Sequence, residues 1–160
     1  MDQYHLRRRD KALTETAEIN RVLATARYIS LSMCLDQEPY LVTLNHGHDP
    51  EHNCLYFHCA PKGKKIDMLR ANPRVWGIAV EDLGYLDGKC DHAYRTVMFG
   101  GTVSFLESPD DKRHALHIMI EQQESNPQAV IKEQLTEKAV KAVTMGRIDI
   151  TEISGKEALP

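Results

Sequence analysis

Polar and apolar positions along this chain follow two periods, one helical and one strand-like. Near the N-terminus the spacing is helical. Thr14 is a candidate cap, and Ile19, Val22, Leu23 and Ala26 share one side. Beyond Arg27 the period shortens. Tyr28 to Leu35 alternates, Asp36 to Pro39 breaks the run, and Tyr40 to Leu44 resumes it, which predicts a hairpin. A turn-rich stretch, Asn45 to Asn53, leads to a third strand, Cys54 to Ala60. Pro61 and Gly63 then punctuate the chain. A helical pattern runs from Lys64 through Ile66 and Leu69 and stops at Asn72-Pro73. Val75 to Val80 reads as a strand, Glu81 to Cys90 as a loop, and Tyr94 to Leu106 as a long strand. In that strand Arg95, Val97, Phe99, Gly101 and Val103 share one face, and Thr96 and Met98 belong to the other. Gly100-Gly101 marks a bend, a bulge or a close approach.

Ser108-Pro109-Asp110-Asp111 is a helix start, with a cap, proline in the first turn and acids beside it. Its helix carries Ala115, Ile118, Met119 and Gln122. Residues 128–140 carry no clear period, and a short helix over Glu133 to Ala139 is the reading taken. Ala142 to Ile153 alternates as a last strand, followed by a polar tail from Gly155 to Pro160. Short turns between strands favour an antiparallel sheet, and about six strands with glycine-bent members suggest a small barrel.

Composition narrows the class without naming it. The 160 residues are 42% hydrophobic and 27% charged, an ordinary globular balance that reads as one domain over residues 1–160. Net charge is −3, so no general basic surface points to nucleic acid. No apolar run reaches membrane-helix length, and the N-terminal segment lacks the apolar core of a secretory signal. Cys34, Cys54, Cys59 and Cys90 form no CxxC pair, which points to free thiols in a reducing cytoplasm. Arg7, Arg8 and Arg9 read as a solvated arm or a tether to an anion or partner subunit.

The chemistry concentrates in the stretch LYFHCAPKGKKIDMLRANP, Leu55 to Pro73. Lys64 and Lys65 fall where a helix begins, beside unpaired backbone N–H groups and the positive end of the helix dipole. That makes a phosphate site as good a reading as a solvated helix start. His58 ends the preceding strand. It reads as a hydrogen-bonded strand end or as a group near a ligand. Cys59 points to the opposite face, so the two make no thiolate–imidazole pair, and Cys59 reads as a buried small hydrophobe. His46, His48 and His52 share a loop with Asp49 and Glu51. A metal site there competes with plain solvent tolerance. His114 and His117 read as structural or solvent-facing. There is no GxSxG elbow and no GxGxxG or GxxxxGK[ST] phosphate loop.

Taken in order, several segments resemble the pyridoxamine-phosphate-oxidase-like, FMN-binding split-barrel superfamily. They are the basic segment and first helix, Pro39 to Asn45, LYFHCAPKGKK…NP, Tyr94 to Gly101, and Ile153 to Glu157. The chain is most similar to the branch of nitroimidazole-resistance proteins. The resemblance implies a mainly β fold, a six-stranded antiparallel split β-barrel with flanking helices. It also implies a homodimer with FMN at the subunit interface. It implies that Lys64 and Lys65 hold the FMN phosphate and that His58 and Cys59 line the cofactor. Thr43, Leu44 and Asn45 would pass the flavin ring, with Arg95 and Thr96 near it. Lys64 stands where the oxidases proper carry arginine, keeping the charge but not the two-pronged fork. The ending ITEISGKEALP lacks the Arg-Leu and His-Asp-Arg signature of true pyridoxamine phosphate oxidases. The implied activity is therefore flavin-dependent reduction, with His58 near the reacting centre. A flavin- or haem-binding storage or sensing protein is the alternative, since related barrels bind haem.

Overall fold

Eight strands and five α-helices make up residues 8–159, the part of the chain that the computed structural model describes. Arg7 and Pro160 lie outside it. A 3₁₀ turn, Arg9–Lys11, and strand β1 (Ala12–Leu13) come first, with exposed Arg8 paired to Asp10 at 2.6 Å. Helix α1 (Thr16–Thr25) starts one residue later than the Thr14 cap implied. Glu15 takes the capping position and its side chain makes no cap bond. The helix buries the expected Ile19, Val22 and Leu23.

β2 (Ile29–Leu35) and β3 (Glu38–Leu44) form the predicted hairpin. Asp36 and Gln37 both adopt positive φ, 50° and 67°, matching the twist of a two-residue turn. Pro39 is tolerated in β3 because that strand is an edge. Within the stretch read as a loop, Gly47–Asp49 pairs as a further strand, β4, against β5 (Cys54–Cys59). Three residues are too few for alternation to reveal.

Helix α2 (Lys64–Ala71) ends at Asn72 as expected. β6 (Arg74–Leu86) and β7 (Asp91–Phe105) form a hairpin much longer than predicted. The supposed Glu81–Cys90 loop continues the ladder to Leu86 opposite Asp91, with an irregularity between Asp82 and Tyr85. Its residues are mostly exposed, so no buried face imposes a period.

Ser108 caps α3 (Pro109–Gln123) by accepting from the Asp111 N–H. The ambiguous region holds two helices, α4 (Pro127–Gln134) and α5 (Glu137–Ala142), in place of the single one expected. Strand β8 (Thr144–Ala158) absorbs most of the supposed tail, pairing with β7 and with β1. Of the bend, bulge or close approach expected at Gly100-Gly101, a bulge and a close approach are present, the latter between Gly101 and the Asp149 carbonyl. Gly100 faces Glu152 and Gly101 faces Ile150, leaving Thr151 as the extra residue in β8.

The eight strands, against the six expected, form one antiparallel sheet in the order β3-β2-β6-β7-β8-β5-β4, with β1 added to β8. The path bends round a core but does not close, as in a split barrel. Two rings fill the interior opposite glycines. Phe99 faces Gly77, and Phe57 faces Gly146. A Cβ on either glycine would collide with the facing ring. Leu23, Ile29, Leu31, Leu55, Val97 and Ile148 pack around them, with α1 and α2 closing the sides. A smaller cluster of Cys54, Tyr56, Ala115, Met119 and Met145 seats α3 on the far side of β5. No helix among the described residues is long and apolar enough to cross a membrane.

Candidate functional site

The turn Pro61–Gly63 sets the start of α2. Gly63 has φ 134°, a backbone state that side chains resist. Its carbonyl accepts from the N–H groups of Ile66 and Asp67, at 2.8 and 3.1 Å. The N–H groups of Lys64 and Lys65, in the first turn, therefore have no intrahelical acceptor. Lys64 Nζ lies 4.8 Å from the Tyr40 ring centroid, and Lys65 Nζ 5.8 Å from that of Phe57. The two ammonium groups thus bridge β3 and β5, on either side of the split. A cleft of about 240 Å³ opens there between Tyr40, Val42, Gly63, Lys64 and Lys65.

Alternation assigns sides to the other candidates. Thr43 sits opposite Ser30, Ser30 opposite Ile78, and Ile78 opposite Met98, one row across the outer face of the sheet. Leu41 and Trp76 join the next row, and Val80 with Thr96 a third. Leu41, Trp76, Val80 and Met98 are exposed, so this is an apolar outer face with Thr43 and Thr96 set in it. A groove of about 530 Å³ runs along it past Tyr28, Ser30, Thr43, Ile78 and Val80. Leu44 points the other way and packs on the core.

Arg95 and Thr96 are separated by the same rule. Arg95 turns to the side of Val97 and Phe99, where it meets Glu157 at 3.0 Å, Glu81 at 3.3 Å and Glu18 at 3.8 Å. Arg21 of α1 completes this cluster with a two-pronged bond to Glu81, both contacts 2.7 Å. The Arg21 bond, reinforced by Arg95, holds the Glu81 carboxyl below its usual range against the opposing effect of burial. Thr96 donates to the Lys156 carbonyl at 3.4 Å.

His58 and Cys59 also part company, as expected. Cys59 packs against the core, and burial pushes its thiol up against the pull of Lys65. His58 is exposed and, with Asn45, opens onto an apolar pocket of about 430 Å³ beneath α3–α5, lined by Leu116, Met119, Ile120 and Val130. The predicted residues therefore fall into a basic cleft, an outer face and a helical pocket, with Arg95 committed to carboxylates.

The loop histidines do not assemble as a trio. His46 is buried, and its Nε2 donates to the Leu23 carbonyl at 2.7 Å, satisfying the end of α1. Burial pushes its imidazole down, against that hydrogen bond. Burial likewise pushes His48 down to about 4. His52 instead joins Asp49 and His114, a residue that helical spacing had assigned to structure or solvent. Burial alone would raise the Asp49 carboxyl. Hydrogen bonds from His114 and His52 outweigh it and hold the group at about 2. Nothing local in sequence joins Asp49 to a residue 65 positions away.

An open antiparallel split barrel, flanked by helices and carrying a basic helix start at its split, defines the class. The sequence pattern of the family described as pyridoxamine 5′-phosphate oxidase matches residues 15–157, and the chain belongs to that family. A candidate 5-nitroimidazole antibiotic resistance protein from Bacteroides thetaiotaomicron is 26% identical, with TM-score 0.74 over 91% of this chain and 86% of its own. A FAD-binding protein from Mesorhizobium loti is also 26% identical, with TM-score 0.66 over 92% of this chain and 97% of its own. The FAD and heme binding protein from Mycobacterium smegmatis shares the fold, with TM-score 0.76, 16% identity, and coverage of 94% of this chain and 75% of its own. Among curated proteins, an uncharacterized protein of Rhizobium meliloti (strain 1021) is 38% identical over 58 residues. That match covers 36% of this chain and 36% of the relative, so the chain spans about a third of the relative's length.

Proposed function

We propose that this chain is an FMN-dependent oxidoreductase, a cytoplasmic homodimer that reduces small aromatic acceptors such as nitro compounds. One observation carries the reading. Lys64 and Lys65 flank a cleft at a helix start whose first N–H groups lack intrahelical acceptors. Cationic side chains and outward N–H groups at one point fit a terminal phosphate. The flavin-binding neighbours of the same fold add support. FMN is proposed over FAD because the paired lysines stand together at one helix start, an arrangement suited to a single terminal phosphate.

When bound, FMN supplies the electron transfer itself. The chain's own residues bind and orient. Lys64 and Lys65 neutralise the phosphate. β3 pairs with β2 alone among the described strands, so its free edge, with Asn45 just beyond it, offers to the ring those backbone groups of Thr43, Leu44 and Asn45 that do not bond to β2. Thr96 faces the same outer surface. Arg95 is the weakest member of the set, since three carboxylates already occupy its guanidinium. Cys59 acts through packing behind Phe57 and Lys65. His58, at the mouth of an apolar pocket, holds or moves a proton at an imidazole nitrogen while an acceptor sits against Leu116 and Met119. The exposed Leu41, Trp76, Val80 and Met98 favour a second copy closing over this face.

The absorption spectrum and cofactor mass of purified protein test this directly, followed by turnover with nicotinamide donors and nitro acceptors. A flavin spectrum with the mass of FMN is expected, with turnover. FAD in its place would correct the cofactor. A haem Soret band without flavin would overturn the reading. FMN without turnover would leave a binding protein.

A further inference from the structure

We propose that Asp49, His52 and His114 form a binding site for one divalent transition-metal ion of the zinc type, separate from the basic cleft. Asp49 ends β4, and its side chain is only 4% exposed. Its Oδ2 lies 2.8 Å from His52 Nδ1 and 2.9 Å from His114 Nε2. The three ligand atoms all fall within 4.8 Å of one another. A tetrahedral ion with bonds of about 2.0–2.1 Å separates its ligands by roughly 3.3 Å. Asp49 and each imidazole must spread by about half an ångström to admit it, and the two imidazole nitrogens, within 4.8 Å of each other, must settle at the same spacing. The two histidines are half-exposed, at 52% and 49%, so solvent rather than core packing borders much of each ring.

Donor chemistry sets the class of ion. Two imidazoles with one carboxylate suit zinc, cobalt or nickel, whereas calcium and magnesium favour sites rich in oxygen ligands. Charge points the same way. A buried carboxylate calls for a cation. The hydrogen-bond partners of the Asp49 side chain among the described residues are His52, His114 and, at 3.4 Å, the Tyr56 hydroxyl, with no ammonium or guanidinium group. The site also has a way in. It lies on a groove of about 560 Å³ bordered by Glu51, His117 and Glu121. Three protein ligands with a fourth position facing that groove would leave room for water or another small ligand on the ion.

Chelator-treated protein, with its cofactor retained, is titrated with Co²⁺ and then competed with Zn²⁺. One tetrahedral Co²⁺ per chain, displaced by Zn²⁺, is expected. His52→Ala and His114→Ala should each weaken binding by more than about 100-fold, beyond the 10–100-fold typical of groups that only orient a ligand. Each substitution also takes one hydrogen bond from the buried Asp49 carboxylate, so the variants should melt somewhat below the parent in chelator and, unlike the parent, gain no rise in Tm from Zn²⁺. His92→Ala, whose ring pairs with Asp82 elsewhere, should bind as the parent does. Absence of stoichiometric binding, or binding that both alanine variants leave unchanged, overturns the site. Flavin content, measured in the same samples, reports on the basic cleft independently.

Discussion

Replacing Lys64 and Lys65 together by alanine separates the phosphate reading from that of a solvated helix start. The substitution removes charge but little packing. Lys64 is exposed and Lys65 half-buried, and their ammonium groups rest against the rings of Tyr40 and Phe57 at 4.8 and 5.8 Å. Such ring contacts contribute about 0.5–1 kcal/mol each at exposed sites, so the unliganded protein should lose little stability. A hydrogen bond to a charged group contributes about 1.5–3 kcal/mol. Losing two removes roughly 3–6 kcal/mol of FMN affinity, about 10²–10⁴ in Kd. The backbone N–H groups at the helix start survive and leave residual binding. Quenching of flavin fluorescence on titration into cofactor-free protein measures the loss, with riboflavin as the phosphate-free control. FMN should weaken strongly and riboflavin hardly at all. An FMN Kd within about threefold of the parent, or equal weakening of both ligands, would refute the assignment. Lys64→Arg should bind FMN at least as tightly, since the guanidinium adds a two-pronged contact.

Four further outcomes follow from the same geometry. His58→Ala should retain FMN yet lower kcat by about 10²–10⁴, the usual contribution of a positioned proton-transfer group, read from steady-state turnover. Trp76→Glu puts charge on the exposed sheet face. It should convert the proposed dimer to monomer in sedimentation runs and lower flavin retention with it. Gly77→Ala and Gly146→Ala drive a methyl into the facing Phe99 and Phe57 rings, and each should cost at least about 1–3 kcal/mol in urea unfolding. His46 is kept neutral by burial, so its folded pKa lies below the ordinary 6.5. Its stabilising contribution is full above that value and falls as pH drops through it, because the unfolded state then binds the extra proton. His46→Phe should flatten the decline in urea midpoint between pH 7 and 5. Gln122 still reaches the Leu23 carbonyl, at 3.4 Å, in that variant.

What could be read along the chain was whatever a local rule governs. The β2–β3 hairpin showed itself because Ile29, Leu31 and Met33 alternate with polar neighbours and Asp36-Gln37 breaks the pattern. α3 was legible from its Ser-Pro-Asp-Asp start, and Gly100-Gly101 marked an irregularity in β7, though not that the extra residue would stand in β8. β4 and the outer half of the β6–β7 hairpin were not. The first is three residues long, and the second stands mostly in water without a buried face. α4 was hidden because none of its side chains is fully buried, so no apolar stripe marks it. Among candidate residues, Lys64 and Lys65 were legible because a helix start is a local feature. The meeting of Asp49 with His114 was not, because it depends on α3 being laid across β4 and β5 by Met119, Ala115 and Tyr56.

Strand alternation, more than proximity in sequence, decides what this site can be. Arg95 and Thr96 are neighbours, as are His58 and Cys59, yet each pair is split between opposite faces of its strand. Arg95 belongs to the carboxylate cluster that ties α1 to β6 and β8, while Thr96 shares the outer face with Thr43. A planar ligand touching both threonines must lie across a surface that otherwise exposes Leu41, Val80 and Met98. Water-exposed apolar area of that kind gains most from being covered by protein. Cofactor and second subunit therefore compete for the same surface unless they cover it together. The proposed flavin site and the proposed dimer are in this sense one hypothesis, and the loss of either should weaken the other.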